Sequence, residues 1–196
     1  MNRPYHHGAL REALLAAAEV ILERDGVETL TLRGAAREAG VSHGSPAHHF
    51  GDLSGLLSDL AATGFMRFHE RLRAAVAVAG PHPQARVVGL CRGYVGFARD
   101  SPGLFQLMFR SGRLDWSRPA LAAAGAGAFA LLMEQEDGEP PAEFGVAHLA
   151  TVTAHWSLAH GLAMLLIDGR LGPIMERVSG PDVETLVEAV LTKGLA

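Results

Sequence analysis

Residues 31–50 read TLRGAAREAGVSHGSPAHHF, and the reading of this stretch, Thr31 to Phe50, decides how the chain is organised. It carries two short helical patterns joined by a glycine. Ala36, three intervening residues and Gly40 mark the first helix and its stop. A small side chain at Ala36 lets a second helix cross closely, and Gly40 supplies the positive φ that an abrupt helix end needs. Val41 then fills the gap between the helices. The Ser42 hydroxyl is placed to cap a helix predicted over 43–49. Two short helices at a steep angle, joined by a few residues with glycine, form a helix-turn-helix. Such a motif offers its second helix to the DNA major groove, N-terminal end first.

On the N-terminal side, Leu10, Leu14, Ala17, Ala18, Ile21 and Leu22 follow helical spacing up to Gly26 and predict a helix over 8–25. Residues 1–7 show no pattern and read as a mobile arm. On the C-terminal side, Asp52 is placed to cap a long helix over 53–78 that Gly80-Pro81-His82-Pro83 ends. Beyond it the composition shifts to Ala, Leu, Val and Gly without strand-like alternation. Helices are predicted over 84–100, 103–110, 119–136, 144–168 and 182–193, with a loop at 111–118, an acidic, proline-rich linker at 137–141 and an interruption at Pro173. The expectation is an all-α chain of about nine helices, the first three forming a compact head.

Hydrophobic residues make up 48% of the 196, enough for a sizeable core and too many for a disordered chain. The single cysteine, Cys91, excludes an intrachain disulfide and fits a reducing, cytoplasmic setting. No signal peptide is evident, and His155, His160 and Gly161 break the longest apolar run, so no membrane span is expected. The net charge of −4 does not advertise nucleic acid. In residues 1–50, Arg3, Arg11, Arg24, Arg33 and Arg37 face Glu12, Glu19, Glu23, Asp25, Glu28 and Glu38. DNA binding therefore requires those acids to be turned away from the duplex, with neutral donors carrying part of the contact. The histidine pairs His6-His7 and His48-His49 are adjacent residues, which point apart on a helix, so no metal is expected. No nucleophile–base–acid arrangement, phosphate loop or cofactor fingerprint occurs, so neither catalysis nor a cofactor is expected.

The pattern Thr31-x-Arg33-x-x-Ala36-x-x-Ala39-Gly40-Val41-Ser42-x-Gly44, followed by His49-Phe50, resembles the DNA-binding signature of TetR/AcrR-family transcriptional repressors. YHHGALREALLAAA before it and GLLSDLAATGF after it resemble the flanking helices of that family, so the match covers about the first third of the chain. The resemblance implies a DNA-binding domain over 1–51 that contacts an operator through Thr31, Arg33, Ser42, His43, Gly44, Ser45, Ala47, His48 and His49. Two positions depart from the family: Ala47 stands where tyrosine is common, and Leu53 where lysine is common. Both usual residues touch phosphates, so operator affinity is expected to be moderate and to lean on dimerisation.

A second resemblance lies in WSLAHGLAMLLIDG, where Trp156, His160 and Gly161 are similar to the Trp-His-Gly motif of a TetR subfamily. SPGLFQLMF over 101–109 is also frequent in that subfamily. It implies a ligand-binding and dimerisation domain over 52–196. A mostly apolar effector would sit among Phe105, Met108, Phe109, Trp116, Trp156, His160 and Met164, though the same spacing also suits ordinary core packing. Helices 144–168 and 182–193 would pair with their copies in a homodimer, which requires a palindromic operator. One other reading stays open, a helical small-molecule-binding protein with weak or no DNA binding; an enzyme using His155 or His160 is not expected.

Overall fold

The apolar spacings become helices almost where the sequence puts them. A computed structural model describes residues 7–133, 145–178 and 182–195, and every regular element among them is α-helical. In chain order these are α1 (His7–Asp25), α2 (Leu32–Glu38), α3 (Ser45–Phe50), α4 (Leu53–Ala79), α5 (Pro83–Asp100), α6 (Pro102–Arg110), α7 (Pro119–Met133), α8 (Val146–Ile167), α9 (Gly172–Met175) and α10 (Val183–Gly194). The extra helix relative to the expected nine is α9. Pro173 lies in its first turn, where a missing N–H costs no bond. Residues 1–6 of the expected arm, the linker over 137–141, and positions 134–136 and 144 of two predicted helices lie outside the described residues.

Packing divides the chain into two units. The first comprises the described residues up to Phe65 together with Gly103–Gly125, the second Met66–Pro102 and the described residues from Ala126 onward. In the first unit the Glu23 carboxylate on α1 accepts from the Gly103 and Leu104 amides, both at 2.8 Å, and so caps α6 from outside that helix. Gly64 on α4 leaves no room for a β-carbon against Leu104 and Met108, so α4 and α6 meet backbone to side chain.

The core of the first unit holds Leu14, Ala18, Leu30, Ala35, Ala36 and Leu57, all at most 1% exposed. Asp52 caps α4 as its position suggests, its Oδ1 accepting from the Gly55 amide at 2.8 Å. Asp59, 7% exposed, is the charged residue among the buried ones of the described residues. Its carboxylate takes Arg11 Nη2 of α1 at 2.7 Å and Arg118 Nη2, just before α7, at 3.0 Å. Beside it the buried Ser58 hydroxyl accepts from the Asp115 amide at 2.8 Å. The loop before α7 is thus bonded to α4.

In the second unit α5 packs against α8 and α10. Gly89 and Gly93 of α5 lie so close to Ala75 and Ala79 of α4 that an added β-carbon would approach theirs to 2.8 Å. Phe68 sits edge-on to Tyr94 and beside Phe97, with ring centroids 5.0 and 5.2 Å apart. Arg92–Glu188 and Arg99–Glu184 join α5 to α10 at 2.8 and 2.7 Å, but these pairs are exposed and add little stability.

Removing the Asp59 carboxylate leaves two arginines facing a buried site without a counter-charge. Asp59→Ala is expected to lower the unfolding free energy by about 3 kcal/mol, measured by urea denaturation; a loss below about 0.5 kcal/mol would show the network to be dispensable.

Candidate nucleic-acid interface and internal cavity

Thr31 has an extended backbone at φ −135°, and its Oγ1 accepts from the Gly34 amide at 3.0 Å, so it caps α2. The helix stops at Gly40, φ +66°. The Gly40 amide donates to Arg37 O at 3.1 Å and the Val41 amide to Ala36 O at 3.0 Å. These paired bonds are the Schellman end that glycine permits.

The second helix begins later than the sequence suggests. It starts at Ser45, not at His43, and its cap residue is Gly44, which offers no side-chain bond. Ser42 does not cap it. Its hydroxyl lies 2.7 Å from that of Ser45, and the Ser45 amide donates to Ser42 O. The cause is Pro46, which lacks an N–H and is tolerated only in a first turn. Pro46 and Phe50 are buried, so the opposite side of α3 faces solvent. Ser42, His43, Gly44, Ala47 and His48 are exposed, and Ser45 and His49 are half-buried. Thr31 and Arg33 are exposed as well. Arg37, one turn beyond Arg33 on the same helix, is also exposed and belongs with these residues. The four-residue spacing of the two arginines could have found it.

Several acids of this unit have internal partners. Glu23 caps α6, Asp25 and Glu38 pair with Arg24 at 2.8 and 3.7 Å, and Glu28 lies 3.5 Å from Arg113. The hydrogen bond from Arg24 lowers the Asp25 pKa. The local negative charge is therefore partly neutralised away from α3.

The second unit holds a partly open cavity of about 650 Å³ between α5 and α8, of a size that suits a small ligand. Gln84, Val87, Cys91 and Tyr94 face it from α5 at steps of three and four, flanked by Arg86 and Leu90. His148, Thr151, Val152, His155, Trp156 and Ala159 face it from α8. Leu131 and Leu132 of α7 close one side. At one end, Trp156 Nε1 donates to Tyr94 Oη at 3.0 Å, and His160 Nδ1 lies 2.8 Å from the same oxygen. An indole nitrogen can only donate, so a Tyr94 proton pointing at Nδ1 completes the group and leaves the imidazole proton on Nε2. Burial raises the Tyr94 pKa, keeping the hydroxyl protonated, and pushes the Cys91 thiol up to about 12. Cys91 is therefore an unreactive wall residue.

Among the seven residues singled out for effector contact, Trp156 lines this cavity. His160 reaches it through Tyr94, and Met164, half-buried on α8, lies outside the lining. Phe105, Met108, Phe109 and Trp116 belong to the first unit. There Phe109 stacks with Phe105 and Phe65 at 4.8 and 5.6 Å, and Trp116 lies beside Phe65 at 5.8 Å, half exposed. Spacing identified these residues as a cluster, but not which space they surround. The sequence reading missed Arg86, Tyr94 and His148; the period 84, 87, 91, 94 on α5 was the available signal.

Fold and site together define an all-helical protein with a helix-turn-helix surface in one unit and a cavity between helices in the other. The model of the tetracyclin repressor-like C-terminal domain matches residues 87–193. A solved protein of unknown function from Rhodococcus sp. RHA1 is 36% identical, covers 99% of this chain and 95% of its own, and superposes with a TM-score of 0.75. A TetR transcriptional regulator from the same organism is 18% identical, with coverage of 97% and 98% and a TM-score of 0.61. The multidrug binding protein EbrR, solved with imidazole, is 21% identical, with coverage of 100% and 97% and a TM-score of 0.57. No curated protein matches the chain. The chain belongs to the tetracyclin repressor-like, or TetR, family of transcriptional regulators. Despite its histidines, α8 has the length and apolarity of a membrane-crossing helix, with 22 residues and a mean hydropathy of 1.3. One such helix is not evidence of a membrane location.

Two outcomes follow from the cavity. Tyr94→Phe strips Trp156 and His160 of their shared partner and is expected to cost about 1–3 kcal/mol in thermal or urea unfolding. Burial lowers the His155 pKa from its ordinary 6.5. The stability held by the neutral ring is complete above that ordinary value and is lost as pH falls through the lower folded value. His155→Gln should therefore flatten the loss of stability between roughly pH 7 and 5, followed by urea midpoints.

Proposed function

We propose that this regulator is a dimeric repressor that binds a palindromic operator through α2 and α3 and is released by a small, mostly apolar effector held in the cavity between α5 and α8. The functional division then runs as the motifs suggest, with DNA binding in 1–51 and ligand binding and dimerisation in 52–196. The observation that carries the reading is the exposed set Arg33, Ser42, His43, Gly44, Ala47 and His48 around the start of α3, in a unit whose acids largely have internal partners. Arg33 can pair with a base edge or a phosphate, and the residues opening α3 can approach the duplex closely. Repression relieved by ligand requires the effector to prefer the conformation that cannot grip DNA. EbrR's description as a multidrug binding protein supports a small-molecule effector in this fold. Trp156, His160 and Gly161 fit the Trp-His-Gly subfamily.

The dimer reading is supported by the solvent face of α8. Ala150, Ala154, Ser157 and Gly161 are exposed there, with Leu149 and Leu165 47% and 44% exposed. Small residues at steps of three and four let two helices approach closely. A second reading, a small-molecule-binding protein with weak or no DNA binding, is favoured by Ala47 and Leu53, which supply no phosphate contact.

Fluorescence anisotropy with genomic fragments captured by the purified protein separates the two. Selective binding that Arg33→Ala weakens roughly tenfold or more supports the repressor; equal affinity for every fragment supports the alternative. Ala47→Tyr with Leu53→Lys should steepen the salt dependence by about 0.9 per added phosphate contact. For the dimer, a β-carbon at Gly161 meets nothing within 4 Å in the chain itself. Gly161→Glu should therefore keep the helical circular dichroism and convert a dimer into a monomer in analytical ultracentrifugation. An unchanged dimer would exclude this face.

A further inference from the structure

The cavity has two unlike ends. α5 and α8 run in the same direction, because Cys91 lies against the carbonyl of His155 and, one turn on, Tyr94 meets Trp156 and His160. Their N-terminal turns therefore share one end of the cavity, where Gln84 and Arg86 stand on α5 and His148 on α8. The positive ends of both helix dipoles add there. The opposite end carries the Tyr94–Trp156–His160 group, and the walls between include Val87, Leu90, Leu131 and Val152.

Among the described residues, Arg86 has no counter-charge at the N-terminal end. Arg86 is half-buried, and among the described residues its side chain makes no hydrogen bond or ion pair. No aspartate or glutamate occurs in the cavity's described lining. The Met133 carbonyl at the end of α7 is engaged by His148 Nε2 at 3.3 Å. A guanidinium at the mouth of a cavity with apolar lining is stabilised by an anion, and a carboxylate fits its planar fork in two-pronged fashion. A cation entering the same space would meet Arg86 and two positive helix ends. From Arg86 to Tyr94 the helix rises roughly 12 Å, which sets the length of a ligand spanning both ends.

We propose that the effector is an apolar monocarboxylate of medium chain length, its carboxylate on Arg86 and its tail running along α5 towards Trp156 and Tyr94. This rests on the reading of the cavity as the effector site and adds the ligand's charge and orientation. Thr151 and His155, on the same face of α8, line the path of the tail and offer polar contacts to a substituted chain.

The test uses three probes built on a ten-carbon chain with different heads: decanoate, 1-decanol and decyltrimethylammonium, each below its micelle concentration. Binding to the wild-type protein is read by calorimetry. Because the chain has two tryptophans, Trp116→Phe leaves Trp156 as the single fluorophore in the cavity. Decanoate should bind roughly tenfold or more tightly than decanol, and the ammonium weakest of the three. Decanoate should also change the Trp156 emission. Arg86→Gln should bring decanoate down to the level of decanol and leave decanol unchanged, which also shows that the variant folds. Equal binding of decanoate and decanol, or tighter binding of the ammonium, overturns the anionic ligand while an apolar effector cavity stands. A decanoate preference that survives Arg86→Gln overturns the anchor. If none of the three gives heat or changes Trp156, the cavity is not an effector site and both readings fall.

Discussion

The bond from the Val41 amide to the Ala36 carbonyl sets the geometry of the head. It closes α2 one turn after a pair of fully buried alanines, and it requires the positive φ found at Gly40. Any side chain with a β-carbon at Gly40 strains that turn. With α2 ended there, Pro46 fixes how soon a new helix can begin. Pro46 and Phe50 turn inward, which leaves Ser42–Gly44, Ala47 and His48 outward. The exposed face of the helix-turn-helix is thus a consequence of one turn and one imino acid.

Carboxylates do much of the joining within the first unit. Glu23 caps a helix 80 residues away in sequence, and Asp59 holds arginines from α1 and from the start of α7. Each bond uses negative charge that would otherwise repel a duplex. A chain with a net charge of −4 can in this way present a face of arginine, histidine, hydroxyl and glycine without a strongly basic composition. The TetR membership of the chain and its acidic balance are therefore compatible on physical grounds.

The second unit owes its cavity to an uneven seam between α5 and α8. At one end the Tyr94 hydroxyl, buried among rings, satisfies Trp156 and lies against His160, and this polar group joins the two helices. Towards their N-termini Val87, Thr151 and Val152 line the space that remains between the helices. A satisfied polar group inside an apolar layer specifies one arrangement where leucines alone would permit several.

Helices were legible in the sequence because their signals are local. Apolar residues at steps of three and four, Asp52 and Pro119 at helix starts, and glycine at a helix end act within a turn or two of chain. The helix-turn-helix was legible for the same reason, although Ser42 gave way to Gly44 as the cap once Pro46 claimed the first turn. The cavity was not legible, because Arg86, Leu131 and Trp156 come from three helices tens of residues apart and only packing brings them together. Phe105, Met108, Phe109 and Trp116 show the converse: their spacing marks an apolar face, but which neighbour it meets depends on long-range contacts. The sequence by itself determined the helices and the turn that makes a DNA-reading head. The tertiary structure alone decided where space was left and which charges face it, because side-chain periodicity names a buried face without naming what lies against it.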